Sequence, residues 1–351
     1  MLISFINVFL NGKIKVRAKL GLLQRILMKP EFKKNIVVFI VALIIMFFFI
    51  EIILHLTLPA YYGIPPYTFV EDSELDYIPN PNFKGIVVNK EHARNELPVV
   101  INSFGFRDKE FVKEKGDVLR LVTIGDSETF PDTLLVEEQY GKVVEVLTNN
   151  KVESLNLGVS GYGTLQSFNF FKRVGEQFDP DVVSYLFVPN DISENVQSRY
   201  ALISGSRVQA DWKNKKGMAK VQIFVYRNSF IARELYRLTR SSAVLDTQEN
   251  PKLNEVNWDM MYNTLQEMQE YFSKEDIKFV VIISPFENEG ENKEIESRLL
   301  AILNELNIEY INPTEEYIIR GGKEFLRWKY DSHLNSIGHK LLAELLTTHL
   351  S

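Results

Sequence analysis

Residues 118–130 read VLRLVTIGDSETF. An apolar run rich in Val, Leu and Ile passes directly into Gly-Asp-Ser, leaving no length for a helix before the turn. A short apolar run closed by turn residues is the mark of a buried strand, which places a strand over 118–124. Runs of the same kind recur at 152–157 (VESLNL), 181–188 (DVVSYLFV), 277–284 (IKFVVIIS) and 308–312 (IEYIN). Longer amphipathic stretches lie near 137–149, 164–178, 255–274, 292–306 and 335–348, with apolar residues returning at helical spacing. Strands alternating with helices imply a mainly parallel sheet covered on both faces. Residues 117–351 are therefore expected to form a three-layer α/β/α domain with five strands. Residues 195–253 interrupt the alternation with mixed basic and aromatic sequence and read as an insertion over the sheet.

Upstream the grammar is different. Residues 59–116 are rich in Pro, Asn, Tyr and charge, with short extended runs at 85–88 (GIVV) and 97–101 (LPVVI), and read as a stalk or a small β-rich preface. Before that, residues 36–58 are apolar except for Glu51, His55 and Thr57, about the length needed to cross a hydrocarbon core. Residues 35–58 are expected to be one transmembrane helix, an uncleaved anchor too long for the apolar region of a signal peptide. Lys13, Lys15, Arg17, Lys19, Arg25, Lys29, Lys33 and Lys34 all precede it, with Glu31 the single acid of residues 1–34. Cationic flanks stay on the cytoplasmic side, so residues 1–34 are expected to be cytoplasmic and everything after the helix extracytoplasmic.

Charge and composition then exclude some classes of function. The first 34 residues carry about +7 and the remainder about −13, within a total of −6. An acidic body lacks the basic face that phosphate backbones require, so nucleic acid is not an expected partner. The chain has no cysteine, which removes disulfides, thiolate nucleophiles and thiolate-bound zinc. Asp126, Asp331 and His333 are conceivable metal ligands, but the usual ligand spacings are missing. No cofactor is expected.

In doubly wound sheets, ligands bind beyond the carboxyl ends of the strands. The residues there are Gly125-Asp126-Ser127, Asn156-Leu-Gly158-Val-Ser160-Gly161, Asn190-Asp191 and Asp331-Ser332-His333. Each block alone also reads as turn and helix-cap chemistry. Together they supply complementary parts at one edge. A serine hydroxyl becomes a nucleophile when an imidazole takes its proton, and a carboxylate fixes the tautomer of that imidazole. Ser127, His333 and Asp331 fit those roles. The backbone N–H groups of Ser127 and Gly161 and the Asn190 amide fit an oxyanion hole. Of the five histidines, His55 lies in the apolar segment, His92 precedes the domain, His339 falls within the last helix and His349 is near the end. His333 is the one placed to act as a base.

These four blocks, in this order, resemble the SGNH hydrolase superfamily, the GDSL-type esterases and lipases, over roughly residues 118–349. The resemblance implies a flavodoxin-like fold, Ser127 as nucleophile, Gly161 and Asn190 with Ser127 in the oxyanion hole, and Asp331 and His333 completing a triad. Two features depart from the family pattern. Val188 stands where a glycine usually precedes the asparagine by two, and Asp331 precedes His333 by two instead of three. The second spacing is similar to membrane-linked polysaccharide O-acetyltransferases of the same superfamily. The anchor and the stretch from Asn102 to Asp108 (NSFGFRD) are similar to bacterial members. The expected function is a membrane-anchored, extracytoplasmic serine esterase acting on small acyl esters, with acetyl groups on a cell-surface or exported glycan as the implied substrate class. An O-acyltransferase using the same triad, and a non-catalytic glycan-binding or assembly module, are the competing readings.

Overall fold

The computed structural model describes residues 30–57, 68–89, 91–194, 208, 209, 229, 231, 255–285, 291–329, 331 and 333–351. Most of the insertion at 195–253 and the basic segment up to residue 29 lie outside the described residues. The chain divides into two units, Met1–Leu58 and Pro59–Ser351.

In the first unit, helix α1 (Pro30–Thr57) runs unbroken for 28 residues, about 42 Å at 1.5 Å per residue. Its window Val37–Leu54 has a mean hydropathy of 3.3. Val37, Phe39, Ile45, Phe48, Phe49 and Ile52 are all more than half exposed, so the apolar character surrounds the helix instead of forming one stripe. A helix apolar on every side has no water-facing surface, and this one is long and apolar enough to cross a membrane.

The second unit is built on a five-stranded sheet. Its strands are β5 (Leu119–Gly125), β6 (Val152–Asn156), β7 (Val182–Phe187), β9 (Lys278–Ile283) and β10 (Glu309–Ile311). They lie in the order β10-β9-β7-β5-β6, and every pair is parallel. This is the doubly wound order in which the path reverses between β5 and β7. The bounds fall within a residue or two of those expected from the sequence, because each apolar run is buried almost throughout. Alternate strand residues point to opposite faces. On one face Leu121, Val182, Leu186, Val280 and Ile282 pack with Tyr140 and Val144 of α2 (Tyr140–Leu147) and with Leu342 and Leu346 of α9 (Ser336–Leu350). On the other, Val122, Ile124, Val183, Tyr185, Val281 and Ile283 meet three helices: α3 (Thr164–Phe170), α5 (Glu255–Lys274) and α6 (Glu291–Glu305). Helix α3 continues through a wide turn at Phe171–Gly175 and a tight one at Glu176–Phe178. Among the described residues there are also three short α-helices, α4 (Asp191–Glu194), α7 (Thr314–Ile319) and α8 (Lys323–Leu326).

Residues 68–116 form two hairpins, β1 (Phe69–Asp72) with β2 (Asp76–Pro79), and β3 (Lys84–Val88) with β4 (Glu96–Val100). Within the insertion, β8 (Val208–Gln209) adds to β1 in parallel. The hairpins share a core with the α/β/α layers, since Phe69, Tyr77, Val87, Leu97, Val99 and Phe106 join the same apolar cluster as β5 and β7. They also support the loops at the sheet edge. Tyr77 donates its hydroxyl hydrogen to the Ser160 carbonyl at 2.8 Å, and Tyr162 donates to the Tyr77 carbonyl. The fully buried Arg107 guanidinium donates to the carbonyls of Phe130 (3.2 Å), Pro131 (2.6 Å) and Leu134 (2.6 Å). Burial lowers the pKa of Arg107 to about 10, against the pull of Asp132, Asp108, Glu137 and Glu138. It stays cationic at neutral pH, so its hydrogen bonds to the loop after β5 are charge-assisted. Asp108 accepts the Asn156 N–H at 3.2 Å and pairs with Lys142 at 2.9 Å, tying the hairpin region to β6 and α2.

The loops after β5 and β6 touch each other without clearance. A Cβ on Gly158 would stand 2.5 Å from the Phe130 nitrogen and 2.6 Å from the Thr129 carbonyl carbon, both backbone atoms that cannot turn away. Gly158→Ala should therefore destabilise the fold by roughly 1–3 kcal/mol, the usual cost of overpacking. A thermal melt of the purified variant checks this, and a midpoint equal to wild type would contradict so close an approach.

Candidate active site

The turn after β5 begins at Gly125, whose φ of 149° lies where side-chain-bearing residues are rarely found. It redirects the chain so that Asp126 is buried and Ser127 is half-buried at the carboxyl edge of the sheet. Asp126 accepts the Glu128 N–H at 2.9 Å through Oδ1, a local turn bond of the kind aspartate makes readily. Its other oxygen receives the Asn190 amide at 3.2 Å and lies 3.3 Å from Ser127 Oγ. Ser127 and Asn190 are thus brought together across the boundary between β5 and β7.

The loop carrying Asn190 is held from beneath. Asp191 is fully buried and accepts the Tyr185 hydroxyl at 2.6 Å and the Val188 N–H at 2.9 Å. Val188, the position at which the family pattern has glycine, takes part in this turn through its backbone, and a side chain is accommodated there. Gly161 lies in the loop between β6 and α3, with φ 85°. Its neighbours Ser160 and Tyr162 are both bonded to Tyr77, as described above.

Asp331 and His333 come from the opposite end of the sequence, on an irregular hairpin. Trp328 N–H donates to the His333 carbonyl at 3.1 Å, Asn335 N–H to the Leu326 carbonyl at 2.9 Å, and Arg327 faces Leu334 in an antiparallel bridge. Asn335 then caps α9, accepting the N–H groups of Ile337 and Gly338. His333 N–H donates to Asp331 Oδ1 at 2.8 Å, and the same oxygen is bonded to His333 Nδ1. His333 Nε2 lies 2.7 Å from Ser127 Oγ. A carboxylate only accepts, so Nδ1 carries the proton, and in the neutral ring Nε2 is left as the acceptor for the serine hydroxyl. Residues 206 apart in sequence thus form the chain Ser127–His333–Asp331. The His333 side chain is 26% exposed, which leaves an approach from solvent.

The electrostatics of the site favour charge on the imidazole. Burial opposes it, but the Asp331 hydrogen bond and the carboxylates of Glu128, Asp331 and Asp132 outweigh burial and raise the pKa of His333 to about 10. His339, six residues on, shows the reverse. It is fully buried in α9, receives the Tyr140 N–H on Nδ1 at 3.3 Å, and burial lowers its pKa to about 4. Burial also lifts the carboxyl of Asp126 above its usual range, with the Glu128 charge adding to the effect. Among the described residues, no group of three or more His, Asp or Glu side chains is arranged to hold a metal ion.

Four residues that sequence reasoning left out also contribute. Glu128, buried, bonds to Arg327 at 2.8 Å and accepts the Leu334 N–H at 3.0 Å. Arg327 reaches on to Ser284 Oγ (3.2 Å) and the Pro285 carbonyl (2.5 Å) after β9. Trp328 donates its indole N–H to Thr133 Oγ1 at 3.2 Å. Arg107 holds the loop from 130 to 134. The one available signal was a charged residue next to the serine, and nothing in the sequence said which cation would meet it.

No family model matches the chain, and no curated protein matches it in sequence. Among solved structures it is similar to the acetyl xylan esterase AlAXEase, at 14% identity and a TM-score of 0.41, over 66% of this chain and 100% of that one. It is similar to an acetylxylan esterase from Geobacillus stearothermophilus, at 16% identity and a TM-score of 0.41, over 67% of this chain and 95% of that one. A GDSL-like lipase from Bacteroides thetaiotaomicron is similar at 13% identity and a TM-score of 0.41, over 68% of this chain and 91% of that one. Likeness at this level says nothing about what this chain acts on.

Proposed function

We propose that the chain is a serine ester hydrolase on a single membrane anchor, acting outside the cytoplasm on small acyl esters such as acetyl groups carried by a glycan. The observation that supports this reading is the contact of His333 Nε2 with Ser127 Oγ at 2.7 Å, with Asp331 on the far nitrogen. Neutral His333 takes the hydroxyl proton as Ser127 Oγ attacks the acyl carbonyl. The carbonyl oxygen becomes an oxyanion facing the Ser127 and Gly161 N–H groups and the Asn190 amide. Collapse expels the alcohol, which takes the proton back from His333, and leaves an acyl-serine. Water, deprotonated by the same imidazole, then releases the acid and restores Ser127. Charge on the imidazole during each transfer is balanced by Asp331.

The test is fluorophosphonate labelling of the detergent-solubilised full chain beside a p-nitrophenyl acetate assay. Wild type should label at Ser127 and hydrolyse, and Ser127→Ala should lose both together while melting as wild type does. A folded wild type that neither labels nor hydrolyses would overturn the esterase reading in favour of a binding module.

The base must be neutral to work, and its pKa is raised, so kcat/KM should climb with pH through the neutral range, its acid limb above the ordinary histidine value of 6.5. Asp331→Asn removes the carboxylate that raises the pKa and fixes the tautomer. The acid limb should move down, and kcat should fall by a factor on the order of 10⁴. An acid limb that stays in place in Asp331→Asn would assign the titration to another group.

Orientation rests on the eight cations that precede the apolar window Val37–Leu54. Since the chain has no cysteine, single introduced thiols report topology without background. A membrane-impermeant maleimide should label Ser351→Cys in intact cells and reach Asn11→Cys only after lysis. The opposite pattern would reverse the orientation.

A further inference from the structure

Glu128 follows the candidate nucleophile directly, yet its side chain turns into the protein, with 3% of its surface exposed. A buried carboxylate costs several kcal/mol unless it is fully paired. Both oxygens are committed, Oε1 to the Arg327 guanidinium at 2.8 Å and Oε2 to the Leu334 N–H at 3.0 Å. Arg327 and Leu334 are the two residues that face each other across the hairpin bearing Asp331 and His333. One side chain therefore grips both arms of that hairpin, and its own backbone is bonded to Ser127. Arg327 extends the grip to the end of β9 through Ser284 and Pro285.

Resting on the serine esterase reading, we propose that Glu128 is a positioning residue, a carboxylate clamp that sets the His333 hairpin in register with the Ser127 turn. The same hairpin and the loop after β5 also meet through the Ser127–His333 bond itself and the Trp328–Thr133 bond. A hydroxyl to imidazole distance of 2.7 Å tolerates little slippage, and a displacement near 1 Å costs about a hundredfold in rate. Glu128 also faces the imidazole with its charge. The groups around His333 are Asp331 on its own hairpin, Asp126, Glu128 and Asp132 from the loop after β5, Arg327 from the opposite arm and His339 from α9. The clamp therefore has a mechanical contribution through the hairpin and an electrostatic one through the imidazole.

The test compares Glu128→Gln, Glu128→Asp and Arg327→Lys with wild type in the full chain, by thermal melting, fluorophosphonate labelling rate and the pH dependence of kcat/KM. Glu128→Gln keeps the shape and loses the ion pair. Its labelling rate and kcat should fall at least about tenfold with KM within twofold, and the acid limb should move to lower pH. Glu128→Asp keeps the charge at a shorter reach. It should hold the acid limb near wild type while labelling more slowly, a split that mere loss of stability would not give. If Glu128→Gln does not fold, Glu128→Asp and Arg327→Lys carry the comparison. Wild-type labelling rates and an unmoved acid limb in the folded variants would overturn the clamp and leave the esterase reading intact. Hydrolysis that survives Ser127→Ala would overturn the esterase reading, and the clamp with it.

Discussion

All five strands of the central sheet run in one direction, and this constraint places everything else. A parallel sheet needs a crossover after every strand, so each carboxyl end opens into a loop and all these loops share one edge. The reversal of winding between β5 and β7 leaves a gap there that no crossover covers. Ser127 and Asn190 are the residues that flank this gap, and Asp126 joins them across it. His333 has no strand to place it at the edge. It arrives on a hairpin between α8 and α9, and its position is set by side chains.

That division explains the charge kept near the carboxyl edge of the sheet. Arg107, Asp126, Glu128 and Arg327 are all withdrawn from water near the edge, a costly arrangement for any of them alone. Each is bonded to a loop. Arg107 fixes the segment after the serine turn by its carbonyls, Asp126 fixes the asparagine, and Glu128 with Arg327 fixes the histidine hairpin. Loops lack a hydrogen-bonded ladder of their own, and charge-assisted bonds are the strong alternative. The two hairpins from 68 to 100 supply the apolar backing that excludes water from these bonds, since Phe69, Tyr77, Leu97 and Val99 are fully buried.

The sheet and its helices were legible in the sequence because strand and helix periodicity are local. The runs at 118–124 and 277–284 announce themselves as apolar stretches, and the helix expected near 335–348 is α9, which the structure shows capped by Asn335. The blocks around Ser127 and Asn190 were legible as well, being polar residues at strand ends, and that of Asp331 and His333 as a polar loop before the last helix. Glu128, Arg327 and Arg107 were not. Glu128 meets Arg327 and Leu334, 199 and 206 residues away, and Arg107 meets carbonyls 23 to 27 residues on, and pairing at that separation leaves no periodic trace. Residues 59–116 read as a stalk or a small β-rich preface, and the burial of Phe69, Tyr77, Leu97 and Val99 in one cluster with β5 and β7 follows from packing that no local pattern encodes.

His333 and the next histidine in sequence, His339, show why placement, and not residue type, assigns chemistry here. His333 and His339 are six positions apart, and both are influenced by the Glu128 charge. His339 sits within α9, stacked on Tyr140 at a centroid distance of 6.0 Å, with a backbone N–H pointed at one nitrogen. Burial favours the neutral form, and the nearby His333, Arg327 and Arg107 charges reinforce it, so this histidine neither gains nor gives a proton near neutrality. His333 has a carboxylate on one nitrogen and a hydroxyl on the other, which lets its charge rise and fall without a structural rearrangement. Proton transfer between serine and an acyl oxygen needs that second environment. Among the described histidines, His333 is the one set against both a carboxylate and a serine hydroxyl.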